Sequence, residues 1–167
     1  MRFLTPAALR GLDARALEDL LGRTELLIAA GEGEVSGLAA AAFLFADYAV
    51  LERGATLVTG DDPAIWAAAK WRLGRGALSL LLDERRRLTA DETFSLGLCD
   101  ELIDGDPEEW RTRWMRGRSA LALDTAATLI RFRGGDALER AAFAQLFAIG
   151  EPQKGLAAFL KKRKPAF

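Results

Sequence analysis

Residues 25–58 read ELLIAAGEGEVSG (25–37), LAAAAFLFA (38–46) and DYAVLERGATLV (47–58), and this stretch decides the fold. The apolar run at 26–30 stops at the breakers Gly31 and Gly33, the pattern of a buried strand entering a glycine loop. Ser36 or Gly37 can begin a helix. Residues 38–46 are alanine-rich and apolar nearly all round, which predicts a helix buried on most faces. Residues 48–51 read as a second strand. The resulting strand–loop–helix–strand unit aims the helix's first free N–H groups over the glycine loop, where they favour a phosphate or a developing oxyanion.

Working outward, Thr5 before Pro6 marks a helix start, and Leu9, Leu12, Leu17, Leu20 and Leu21 continue an apolar stripe as far as Gly22. After the unit come the turn Arg53-Gly54, a short run at Leu57-Val58, and the loop Gly60-Asp61-Asp62-Pro63. Asp62 can cap a helix begun by Pro63 and carrying Ile65, Trp66, Ala69 and Leu73. A further helix is expected at 77–83, leading into Arg85, Arg86 and Arg87. Thr89 and Glu92 have the spacing of a capping box, LCDELI (98–103) reads as a strand, and Asp106-Pro107 opens a helix with Trp110 and Trp114 on one face. From about 119 onward only helices are expected, at 119–132, 136–149 and 153–162.

The chain of 167 residues can bury about 70% of its unfolded surface, with 50% apolar residues, 28% charged residues and a net charge of −1. Nothing in that balance points to nucleic acid or to a membrane surface. The absence of histidine and the single cysteine, Cys99, exclude histidine triads, histidine general bases, cysteine–histidine metal sites and an internal disulfide. No metal is expected. The longest apolar run falls far short of the ~20 residues of a membrane span, and a cytoplasmic location is expected.

The glycine loop invites a dinucleotide reading, with Glu52 as the ribose-binding acid. Its spacing opposes that. Gly31, Gly33 and Gly37 give GxGxxxG, one residue too long for the phosphate to meet the second glycine as the helix begins. A tight strand-to-helix turn and an anion-holding loop both stay open.

LGRGALSLLLDERRRLTADETFSLGLCDELI (73–103) resembles the segment of the enoyl-CoA hydratase/isomerase, or crotonase, family in which a VGRGRALELLLTG-like helix precedes SAEEALALGLVDEVV. EPQKGLAAFLKKRKPAF (151–167) is similar to that family's closing EGxxAFLEKRxPxF, and ADYAVLERGATL (46–57) falls where the family has CDIRIAAENAKF. Counting back sets Gly33 on the glycine of its NG pair and Gly37-Leu38-Ala39 on its GGG. The resemblance implies an α/β fold, a crotonase-like ββα spiral core truncated at the N-terminal side over 1–118, with a helical lid or oligomerisation region at 119–167. It implies coenzyme A thioesters as ligands and a homo-oligomer, a trimer or hexamer.

For the site, the resemblance implies that amides at Gly37 and Leu38 hold a thioester oxyanion. The family's two catalytic glutamates fall at Ala41 and near Asp61, so Asp61 or Asp62 is the implied acid or base; the alternative for both is a turn and a helix cap. TPAALRGLDARALEDL (5–20) resembles the family's first long helix, and the compressed N-terminal third implies that only one of the two oxyanion amides survives. Lys161 and Lys162 are the implied contacts to coenzyme A phosphates, or else a solvated helix end. The implied function is acyl-CoA binding with impaired enolate-type hydration or isomerisation. The alternative is a non-catalytic assembly or interaction protein. Cys99 reads as a small buried hydrophobe.

Overall fold

The computed structural model describes residues 1–76, 87–131 and 135–167, the side chain of Arg75 excepted. They form two compact units: Arg2–Arg23 with Leu27–Glu108, and Met1 with Thr24–Leu26 and Glu109–Phe167. The helix expected at 77–83 and two of the arginines that follow it lie outside the described residues.

The first unit is built on two sheets. Strands β1 (Arg2–Leu4), β2 (Leu27–Gly31), β4 (Tyr48–Glu52) and β7 (Glu101–Ile103) form a parallel sheet in the order β1-β2-β4-β7. Strands β3 (Glu34–Val35), β5 (Thr56–Val58) and β6 (Arg87–Thr89) form the second sheet; β3 and β5 are parallel, β5 and β6 antiparallel. Helices follow in pairs of strands. The chain runs β2-β3-α3 (Gly37–Phe45) and then β4-β5-α4 (Pro63–Leu73), so each turn places one strand in each sheet before a helix returns. This is the ββα spiral expected from the resemblance. The expected strand–helix–strand unit is present too, β2 pairing in parallel with β4 from Ile28 opposite Tyr48 to Gly31 opposite Leu51.

All five residues of β2 are buried, as a parallel strand covered on both faces requires. Helix α3 buries Ala40 to Leu44 without a break, so its even apolar composition reflects burial on nearly every side. Phe43 and Leu44 are fully buried, each worth about 1.5–3 kcal/mol against exposure. Helix α3 packs against α4, whose N-cap Asp62 accepts from the Ala64 amide at 2.8 Å. The capping box between Thr89 and Glu92 starts helix α5 (Ala90–Ser95).

The first helix departs from expectation. The apolar stripe is not continuous but divided into α1 (Pro6–Arg10) and α2 (Ala14–Leu21). Gly11 ends the first, and Asp13 caps the second by accepting from the Ala16 amide at 2.7 Å. The cap satisfies an amide that a through-going helix would have left to its own ladder, and the chain turns there. Strand β1 precedes α1 directly, with no second-sheet strand in that turn.

In the second unit, helices α6 (Pro107–Met115), α7 (Ala120–Arg131), α8 (Asp136–Ala148) and α9 (Glu151–Leu160) follow in sequence, α6 beginning two residues before the unit does. Trp110 and Trp114 stack at 5.7 Å on α6. Asp124 of α7 pairs with the amino group of Met1 and accepts from the Leu26 amide at 2.9 Å. Arg131 donates to the Glu25 carbonyl at 2.9 Å. Thr128, between them, donates to the Thr24 carbonyl at 2.9 Å, so 24–26 is laced to α7 through side chains at about one-turn intervals.

Candidate functional site

Helix α3 is anchored unequally at its ends. An α-helix leaves its last carbonyls and its first amides without internal partners. At the C-terminal end two buried guanidinium groups supply what is missing. Arg72 donates to the carbonyls of Leu44 at 3.0 Å and Ala46 at 3.1 Å, and to Asp100 Oδ2 at 2.7 Å. Arg23 donates to the Phe45 carbonyl and to Asp47 Oδ2, both at 3.3 Å. The carboxylates are fixed in turn, Asp100 accepting from the Ala49 amide and Asp47 from the Leu27 amide, each at 2.7 Å.

At the N-terminal end no side chain among the described residues caps the helix; Ser36, extended at φ −140°, makes no such bond. The amides of the first turn, at Gly37, Leu38 and Ala39, therefore face away from any intrahelical partner. Gly37 sits at φ +55° and Gly33 at φ +62°, the left-handed region that glycine enters without strain. Those two positions turn the chain out of β2 and into α3.

A shallow pocket opens beside this end. Helix α1 contributes Pro6, Leu9 and Arg10; the loop contributes Glu32, Glu34 and Val35 over Gly31; α3 contributes Ala39. Gly31 is required by packing, because a Cβ there would stand 2.7 Å from Leu51 Cδ1 and 2.9 Å from Val35 Cγ2. Glu34 pairs with Arg87 of β6 at 2.7 Å. In α1, Pro6 has no N–H and Thr5 Oγ1 accepts from the Ala8 amide at 3.1 Å, which leaves only the Ala7 amide of that first turn unbonded.

No family model matches the chain. Among curated proteins it is similar to YhaR of Bacillus subtilis (strain 168), named provisionally as an enoyl-CoA hydratase/isomerase: 26% identical over 162 residues, 86% of this chain and 62% of that one. Among solved structures it matches an enoyl-CoA hydratase/isomerase from Cupriavidus metallidurans CH34 at TM-score 0.69 and 25% identity, over 90% of this chain and 63% of the other. It also matches a protein from Hyphomonas neptunium given provisionally to that family, at TM-score 0.72 and 26% identity, over 92% and 65%. The chain has the fold of these enoyl-CoA hydratase/isomerase, or crotonase, proteins and is similar to them in sequence. As a crotonase-type chain it spans under two thirds of the length of these relatives.

The residues implied by the crotonase resemblance fall as follows. Gly37 and Leu38 lie at the uncapped end of α3, Leu38 half-buried. Ala41 is buried in the core, so that position offers no carboxylate. Asp61 and Asp62 lie in the loop before α4, Asp62 spending Oδ1 on its cap, and neither lines the pocket. Lys161 caps the end of α9 and Lys162 follows at φ +50°; both are exposed and belong to the second unit. Cys99 is buried, and burial first, then Asp100, pushes its thiol up to about 12 against the opposing pull of Arg72. A nucleophilic thiolate is disfavoured there.

Sequence reasoning passed over Arg10, Glu32 and the Pro6–Leu9 wall. The two glutamates stand inside GEGEVSG, but glycine spacing carries no information about which charge meets a pocket. Among the described residues no group of three His, Cys, Asp or Glu side chains is placed to hold a metal, and no helix is long and apolar enough to cross a membrane.

Proposed function

We propose that the chain binds an acyl-CoA thioester with its carbonyl oxygen at the N-terminus of α3, held by the amides of Gly37 and Leu38. One observation carries this reading: α3 is clamped at its C-terminus by Arg72 and Arg23 and left uncapped at its N-terminus beside a pocket. Such a donor is worth about 3 kcal/mol where charge develops on oxygen in a transition state. The chemistry in reach is enolate formation, the step common to hydration and isomerisation. It is impaired relative to a site with two carboxylates, since Ala41 supplies none and Asp62 is engaged. Asp61 and Asp62 are the proposed acid–base groups from sequence, and Lys161 and Lys162 the proposed contacts to coenzyme A phosphates.

A second reading, a non-catalytic assembly protein, is favoured by the second unit. Helix α8 buries none of its residues, and Phe143, Leu156, Phe159 and Leu160 are exposed by 63%, 59%, 77% and 72%. Apolar side chains in that number fit a homo-oligomer, proposed as a trimer or hexamer. Calorimetric titration with acetyl-CoA and crotonyl-CoA, followed by hydration of crotonyl-CoA, separates the readings. Absence of binding at millimolar ligand leaves assembly alone; binding without hydration identifies a degenerate site.

A further inference from the structure

We propose that copies of this chain join head to tail, the exposed face of α8 on one copy seated on the exposed face of α9 on the next. This deepens the assembly reading above and rests on it. Helix α8 buries none of its residues; Ala142 and Leu146, which are half-buried, mark the side on which it leans on its own chain. Another side carries Asp136, Glu139, Phe143 and Phe147, spaced three or four residues apart so that they share one face. All four are exposed, and the two rings lie 4.7 Å apart. From its N-terminus onward this face is acidic and then aromatic. Arg140 approaches Asp136 only to 4.0 Å in open solvent, too weak a pair to hold that carboxylate.

Helix α9 carries the complement. Ala158 is its buried residue, and Leu156, Phe159 and Leu160 form an exposed stripe at helical spacing. The helix runs directly into Lys161, Lys162, Arg163 and Lys164, all exposed. The Arg163 amide donates to the Ala158 carbonyl at 3.0 Å, which keeps that basic run at the helix end. From its N-terminus onward this face is apolar and then basic.

The order of charge selects the pairing. Laid antiparallel on α9, α8 sets its two carboxylates towards Arg163 and Lys164, which the acyl-CoA reading does not use, and its two rings towards Leu156, Phe159 and Leu160. Two α9 faces would bring the basic run against another basic run or against apolar side chains. Two α8 faces would bring carboxylates against carboxylates or against rings. Only α8 on α9 gives each charged end an opposite charge and each ring an apolar neighbour. Every copy bears one face of each kind, so the contact is heterologous, and a closed ring of copies satisfies both faces of every member.

The test is sedimentation velocity on the whole chain, on its Phe143→Asp and Phe159→Asp variants, and on an equal mixture of the two variants. Both rings stand largely in solvent in the single copy, and circular dichroism checks folding. We expect the parent to associate, and each variant alone to sediment as single chains, its self-dissociation constant raised about thirtyfold or more. The mixture should form a complex of two unlike chains, because Phe143→Asp keeps the α9 face and Phe159→Asp keeps the α8 face. The charged ends give the same test without touching a ring. Asp136→Lys with Glu139→Lys, or Arg163→Glu with Lys164→Glu, should weaken association, and all four together should restore it. A single variant that assembles as the parent does, a mixture of folded variants that stays single-chain, or a fourfold variant no better than its halves overturns the head-to-tail pairing and leaves the assembly reading standing. A parent that stays single-chain at about 100 μM overturns both.

Discussion

Replacing Arg72 by Ala removes the clamp on the site helix, and its cost can be worked from the contacts. The side chain is 8% exposed and makes three bonds: to Leu44 O, Ala46 O and Asp100 Oδ2. Truncation leaves two carbonyls at the end of a buried helix and one carboxylate without its cation. A bond to a charged donor is worth about 1.5–3 kcal/mol, and breaking one side of a buried pair costs about 3–5 kcal/mol. Asp100 is 33% exposed and can be rehydrated, which discounts the ionic part. The sum expected is about 3–4 kcal/mol. Arg72→Lys keeps the charge but not the fork, and should cost about half as much. The assay uses Cys99, the single cysteine, 3% exposed and next in sequence to the Asp100 that Arg72 pairs with, so that it reports opening at the clamp itself. Its reaction with an aromatic disulfide proceeds through opened molecules, so the labelling rate at low opening population should rise about 10²–10³-fold in Arg72→Ala. A rate within threefold of the parent, with the fold intact, would refute the view that Arg72 holds α3 in place.

Gly31→Ala should destabilise by about 1–3 kcal/mol in urea unfolding, because the new methyl meets Leu51 and Val35 in packed surroundings; a change under 0.5 kcal/mol, by the same rough scale, contradicts the close approach. The buried thiol makes stability pH-dependent. Its folded value, about 12, lies above the ordinary 9.0, so its contribution is complete below pH 9 and is lost as pH climbs from there towards 12. The parent should lose stability relative to Cys99→Ala with a limiting slope of about 1.4 kcal/mol per pH unit above pH 9, and equal slopes in the two proteins would exclude a buried thiol.

The central unit was legible because its signals are local. An apolar run closed by Gly31 and Gly33, and caps formed at Thr5, Asp62 and Thr89 with Glu92, are each written within a few residues and each observed. The three C-terminal helices follow their periodicity to within two residues or so. Strands β1, β3 and β6 hold two or three residues each and carry no period; they exist through their partners. The break at Gly11–Asp13 was hidden because Leu9, Leu12 and Leu17 keep a helical stripe through it. The pocket was illegible for another reason. Arg10 and Glu32 come to line one pocket through the parallel pairing of β1 with β2, with Leu4 opposite Ala29, a register that no local pattern records.

The measurement that tests the central claim most directly compares acetyl-CoA binding to Leu38→Pro and Leu38→Ala. Leu38 lies in the first turn of α3, where proline is tolerated and only its N–H is lost. Both variants lose the leucine side chain, but only the first loses the amide. The account predicts that the dissociation constant of Leu38→Pro exceeds that of Leu38→Ala by about tenfold, as one hydrogen bond implies. Equal affinities in two folded variants would contradict it.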